Sequence, residues 1–231
     1  MFRYMLGGGD LRSYVIGLLL SLPIVLLALS VHEWAHGFAS DRLGDPTPRY
    51  MGRLTISPRK HLDPIGFVCM LLCGFGWAKP VPIDPRYYKK PRRDVAIVSL
   101  AGPLSNLLLA FLFLLLLRFV GFGWLVQHRY ATQLGADFAS FVLLLFYYGV
   151  FMNTTLAVFN LLPCPPLDGS KILFSLLPRR YYFKIAPYER QISLVLMLLL
   201  LLGPLSRLIN FLTDLILSGM FALVGMGGFL I

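Results

Sequence analysis

Two histidines and a glutamate fall within five residues, His32-Glu33-Trp34-Ala35-His36, in a 231-residue chain that holds four His and two Glu altogether. On a helix, positions i and i+4 share one face, so both imidazoles can reach a single ion. Glu33, about 100° around the helix, then faces the water that completes the coordination. This is zinc-hydrolase geometry. The cluster closes a run of eighteen uncharged, mostly apolar residues, Tyr14–Val31. Ionisable groups at the end of such a run are costly, which favours chemistry over polar packing. Catalytic zinc takes three protein donors and keeps a fourth position for water, so a third donor must come from elsewhere. His61, Asp63 and Asp84 lie in a basic loop, and His128 is expected on the far side of a membrane. Asp168 follows directly on the third long apolar segment, which runs in the same direction as the first, so it arrives at the depth of His32 and His36. It is the preferred third ligand, ahead of its readings as a helix N-cap or an Asp-Gly turn. Mixed imidazole and carboxylate donors favour Zn2+, one ion per chain.

The elements that must position these residues belong in a bilayer. Hydrophobic residues make up 57% of the chain and charged residues 14%, well below the usual quarter for a soluble domain. Four membrane elements stand out: Tyr14–Ser40, Val95–Leu117, Phe138–Leu162 and a C-terminal region from Ile192 onward, broken at Gly203-Pro204 and therefore readable as two shorter helices. The sequence thus predicts an all-α polytopic membrane protein with about five transmembrane helices. Residues 61–83 are apolar in the middle but too short to span, and Gly and Pro bound them. They suit a re-entrant segment with room for short β-strands, forming a cavity wall. Pro163, Pro165 and Pro166 forbid a regular helix from Leu162 to Leu167, leaving an unwound stretch able to bind extended peptide. The chain is expected to be one integral-membrane domain, 1–231, with a core at about 14–180 and C-terminal helices at about 190–231.

Of the twenty-one Lys and Arg, sixteen lie in segments 41–94 and 163–190, whereas 118–137 holds only Arg118 and Arg129. Basic loops stay cytoplasmic, so the N-terminus is expected outside and the His cluster near the inner face. The net charge of +10 is thereby accounted for by topology, and nucleic acid is not an expected partner. Cys69, Cys73 and Cys164 sit in or beside apolar segments and read as packed thiols rather than disulfides.

His-Glu-Trp-Ala-His in the first helix, Ala101-Gly102-Pro103 with Asn106 in the second, and Asn160-Leu-Leu-Pro ahead of Pro166-Leu167-Asp168-Gly169 together resemble the site-two protease family of intramembrane zinc metalloproteases. Residues 44–67 and 74–86 are similar to the compact bacterial branch without a PDZ domain. The resemblance covers about residues 25–180, and unlike several relatives the chain carries its His motif on the first membrane helix. It implies zinc held by His32, His36 and Asp168, with Glu33 as base and Asn160 positioning substrate or steadying the oxyanion. It also implies cleavage of single-span membrane substrates near the cytoplasmic side of a bacterial plasma membrane, in the manner of regulated intramembrane proteolysis. Segment 64–82 resembles the family's re-entrant strand, an edge for pairing with unfolded substrate.

A different class, a non-hydrolytic metal-binding scaffold or transporter, would use the same ligands. Transport calls for polar groups through both leaflets, whereas Val95–Leu117 and Phe138–Val150 carry no charge and the donors gather at one end. Among weaker features, His61-Leu62-Asp63-Pro64 reads as a turn before a second shell, Gly102 as a site of close helix approach, and Lys79 as a snorkelling side chain.

Overall fold

The long apolar runs form helices because a chain without water can satisfy its backbone only internally. The computed structural model of the chain describes residues 11–73, 76–126, 130 and 132–227. His128 and Arg129 of the expected outer loop, and Gly74 and Phe75 of the short Gly/Pro-bounded segment, lie outside them. Helix α1 runs Leu11–Arg42 and is followed by two single-turn helices, α2 (Thr47–Tyr50) and α3 (Pro58–His61), and by α4 (Pro64–Cys73). Helix α5 (Pro91–Leu116) opens on a proline, whose missing N–H costs nothing at a first turn, and widens into a π-helical stretch over Leu117–Leu125. Helix α6 spans Gln133–Leu161.

Leu162 is extended, at φ −60° and ψ 134°, as a residue before proline prefers, and α6 stops there. The chain unwinds over 162–167, as its prolines predict. It then enters α7 (Asp168–Leu176), α8 (Arg179–Ile185), α9 (Glu189–Leu202) and α10 (Pro204–Leu223). Gly203, at φ +101°, occupies the left-handed region between α9 and α10, a conformation that favours glycine, and Pro204 starts the next helix.

Among the described residues, four stretches are long and apolar enough to cross a membrane: Gly17–Arg42, Pro91–Gly123, Gln133–Leu161 and Pro204–Leu223. The chain is therefore a multi-pass, helical membrane protein. Helix α9, at 14 residues, is about 21 Å long and falls short of the hydrocarbon core. Among the described residues there is no sheet; one isolated antiparallel bridge joins Leu62 to Ala78.

Two apolar clusters fix the direction of the last helix. Val158, Leu162 and Leu167 pack with Leu196 of α9 and Ile209 of α10 at the end of the bundle that carries α7. Leu114, Leu117 and Val150 pack with Leu217 and Phe221 toward the other end. Helix α10 therefore runs antiparallel to α6, and α9 lies at the α7 end.

Residues 76–84 form an extended strap rather than a strand pair. Lys79 donates its N–H to the His61 carbonyl (2.7 Å), Val81 to Glu33 Oε2 (2.8 Å), and Asp84 to Asp45 Oδ2 (2.8 Å). Asp45 is fully buried just beyond α1 and also accepts from Ser40 Oγ (2.7 Å) and the Thr47 amide (2.9 Å). Burial opposes its charge, but these donors prevail and hold its carboxyl below the usual range. The Ser40 proton goes to Asp45, so Tyr88 donates to Ser40 Oγ at 2.6 Å; burial pushes the Tyr88 hydroxyl up to about 12.

Candidate active site

Helical spacing puts His32 and His36 on one face of α1, and the break after Leu161 turns Asp168 back toward them. His32 Nε2 stands 3.1 Å from Asp168 Oδ2, His36 Nε2 stands 3.0 Å from it, and the two Nε2 atoms are 3.0 Å apart. All three side chains are buried. Among the described residues this is the group of His, Cys, Asp and Glu side chains whose donor atoms converge closely enough to share an ion.

The protons on the rings follow from their other partners. His36 Nδ1 lies 2.7 Å from the Val98 carbonyl, an obligate acceptor, so Nδ1 carries the hydrogen. His32 Nδ1 lies 2.5 Å from Asn106 Oδ1. The Asn106 amide is fixed in that sense because its Nδ2 donates to the Ala28 carbonyl and to Asn153 Oδ1, both at 3.1 Å. Asn153 is fixed in turn by donating to the Gly149 carbonyl at 2.8 Å. A relay thus crosses from α6 through α5 to α1 and leaves both neutral rings with a lone pair on Nε2.

Three lone pairs about 3 Å apart repel one another unless a proton or a metal cation lies between them. Donors arranged tetrahedrally about 2.0–2.1 Å from zinc stand about 3.3 Å from each other, within a few tenths of the observed triangle. Gly102 provides the space. A Cβ there would sit 2.4 Å from His36 Nε2 and 2.6 Å from His32 Nε2. The donor set fits zinc.

Around the triangle lies a cavity of about 540 Å3. Glu33 lines it, aimed by the Val81 amide of the strap, as do Trp77 and Val81 on one side and Asn160 and Leu167 on another. Asn160 also donates to the Leu156 carbonyl at 3.0 Å, one turn back along α6. Lys171 reaches Asp168 Oδ1 at 3.0 Å, so one carboxylate oxygen faces the imidazoles and the other an ammonium.

The structure brings together His32, Glu33, His36, Asn160 and Asp168, all singled out from the sequence. His61, Asp63 and Asp84 stay apart: His61 Nε2 donates to the Thr55 carbonyl, Asp63 accepts from the Gly66 amide, and Asp84 pairs with Arg86. Three participants escaped sequence reasoning. Asn153 and Lys171 carried no local motif, although an Asn in the middle of an apolar span and a Lys three residues after Asp168 are signals of a kind. Gly102 was noticed, but for helix packing rather than for its position against both rings.

A buried two-His, one-Asp zinc triangle with a glutamate beside it, held among long apolar helices, defines a membrane metallohydrolase. Comparison with known proteins makes the class specific: residues 20–203 match peptidase family M50, and the chain belongs to that family. It is 40% identical over 194 residues to YwhC of Bacillus subtilis, covering 83% of this chain and 84% of that protein. It is 32% identical over 200 residues to Rip2 of Mycolicibacterium smegmatis, covering 84% and 71%. A protein of Methanocaldococcus jannaschii, MJ0611, is 33% identical over 113 residues, 47% of this chain and 49% of its own length. All three bear names that assign them, provisionally, as zinc metalloproteases. No solved structure matches. The chain is a zinc metalloprotease.

Proposed function

We propose that this protein cleaves peptide bonds within membrane-spanning segments of other proteins, with His32, His36 and Asp168 as zinc ligands and Glu33 as the catalytic base. The observation that carries the reading is the burial of the donor triangle among helices long enough to span a bilayer, beside a cavity large enough for peptide. A peptide bond in a transmembrane helix is shielded by helical hydrogen bonding and by lack of water, so the enzyme must offer both hydration and a place to unwind. The extended strap 76–84 and the helix break at 162–167 flank the cavity and suit an extended chain.

Zinc, when bound, lowers the pKa of water toward 7 and polarises the scissile carbonyl. Glu33 takes the proton from the attacking water and delivers it to the departing amine. The Val81 amide holds Glu33 in the rotamer that faces the cavity. Asn160 reaches the cavity from the end of α6 and positions the substrate backbone beside the site. Asn106 and the Val98 carbonyl keep both imidazoles oriented through every turnover.

The excess of Lys and Arg in 41–94 and 163–190 supports a plasma-membrane orientation with the His cluster toward the cytoplasm. Helices α9 and α4 and the strap 76–84 then dip into the inner leaflet without crossing it, and the chain works as one protease domain. The test is paired measurement of zinc content and cleavage of a co-expressed single-span reporter. Glu33→Gln is expected to keep zinc and lose cleavage, and Asp168→Ala to lose both. Full cleavage by Glu33→Gln would refute the assignment of the base.

A further inference from the structure

Asp214 is the eleventh of the twenty residues of α10, about 15 Å from either end of a helix long enough to cross the hydrocarbon core. Ser206, Asn210, Asp214 and Ser218 follow one another at intervals of four and share one face. Asn210, Asp214 and Ser218 are exposed on the surface of the bundle. Ser206 and Ser218 spend their hydroxyl protons on backbone carbonyls of Leu200 and Asp214. Among the described residues, no Lys, Arg or His lies within ion-pair distance of the Asp214 carboxylate. Arg207 is about 10 Å away along the helix, in the first turn, where a long side chain reaches the membrane interface. A carboxylate exposed half-way along a membrane-spanning helix is costly unless it is paired or protonated, so this position favours a cationic partner.

The stripe leads to a second cavity of about 320 Å3, lined in part by Ser206, Asn210 and Thr155, whose buried hydroxyl has no partner among the described residues. This cavity shares Leu29, Gly76, Leu156, Phe159 and Leu200 with the cavity around the donor triangle. We propose that the polar face of α10 is the docking surface for the substrate's transmembrane segment, and that it selects segments carrying Lys or Arg near mid-span. Continuity with the catalytic cavity singles out substrate as the occupant, and the lone carboxylate sets the complementary charge. Helix α10 lies beyond the residues matched to the family, so this selectivity belongs to the chain rather than to the shared core. The inference rests on the intramembrane reading above.

Two readouts test it. In the first, single-span reporters identical except for Lys, Leu or Glu at mid-span are cleaved by the full-length protein in membranes. Wild type is expected to prefer Lys over Leu by about tenfold, the order of one intramembrane polar contact. Asp214→Asn should erase the preference and Asp214→Lys should transfer it to Glu, with zinc content unchanged in both. An equal preference profile in all three proteins overturns the proposal. In the second readout, cleavage is not needed. Glu33→Gln protein lacking Cys69, Cys73 and Cys164 and carrying Asn210→Cys is expected to form a disulfide with a reporter bearing a mid-span cysteine, and Asp214→Lys should weaken it. Cross-linking only between two copies of the protein overturns docking by substrate. A cross-link to a reporter that wild type never cleaves would instead defeat the proteolytic reading and leave the docking surface standing.

Discussion

Replacing Gly102 by alanine should empty the metal site while leaving the helices in place. The added carbon would lie 2.4 Å from His36 Nε2, 2.6 Å from His36 Cε1 and 2.6 Å from His32 Nε2. Non-bonded carbon and nitrogen rest at about 3.5 Å, so both rings must retreat by about 1 Å. Neither is free to do so, because His32 is held by Asn106 at 2.5 Å and His36 by the Val98 carbonyl at 2.7 Å. Giving up those two bonds costs about 1 kcal/mol each, a loss a membrane bundle survives. The consequence for metal is more severe, since ligand distances at a zinc site tolerate about 0.2 Å. Zinc affinity should fall at least about 100-fold, beyond the range ascribed to perturbing a partner outside the coordination sphere. Competition with a fluorescent chelator on detergent-purified protein measures the affinity, and circular dichroism checks helix content. A Gly102→Ala protein that binds one zinc as tightly as wild type would show that α5 does not approach α1 in this way, and the reasoning about the site would fall with it.

Asn153→Ala removes the acceptor that orients Asn106 without touching any donor of the triangle. Zinc affinity should drop about 10–100-fold, and a Co2+-substituted protein should show a shifted visible spectrum; an unchanged spectrum and affinity would remove Asn153 from the site. The Asp45 carboxyl sits below its ordinary value in the folded protein, so the unfolded chain takes up its proton first as pH falls. Its contribution is complete above about pH 4 and is lost as pH drops through the folded value. Thermal melts from pH 7 to pH 3 should therefore show Asp45→Asn melting lower at neutral pH and declining less steeply in acid than wild type. Identical slopes would mean that the buried cluster of Ser40, Asp45 and Tyr88 does not tie the strap to α1.

What the sequence disclosed about this site follows the range over which each interaction acts. His32, Glu33 and His36 were legible because their geometry is set within one and a quarter turns of a single helix. Asp168 was legible at one remove, because helix direction fixes depth and depth left few donors to choose from. The prolines announced the break at 162–167 and Gly203-Pro204 the division of the C-terminal region. Asn153 was hidden because its function depends on the rotational register of α6 against α5, which apolar composition leaves open. Gly102 was hidden for the same reason: a missing Cβ shows its purpose only once the rings of another helix are placed beside it. The segment from Pro64 was expected as a re-entrant piece with short strands. It forms helix α4 followed by an extended strap, whose amides go to carboxylates and a carbonyl rather than to a partner strand.

X-ray absorption at the zinc edge on the purified, detergent-solubilised protein bears most directly on the central assignment. One zinc per chain is expected, with two imidazole ligands and otherwise only oxygen, and Asp168→Ala should lose it. Sulfur in the coordination sphere, or a spectrum indifferent to the substitution at Asp168, would contradict it.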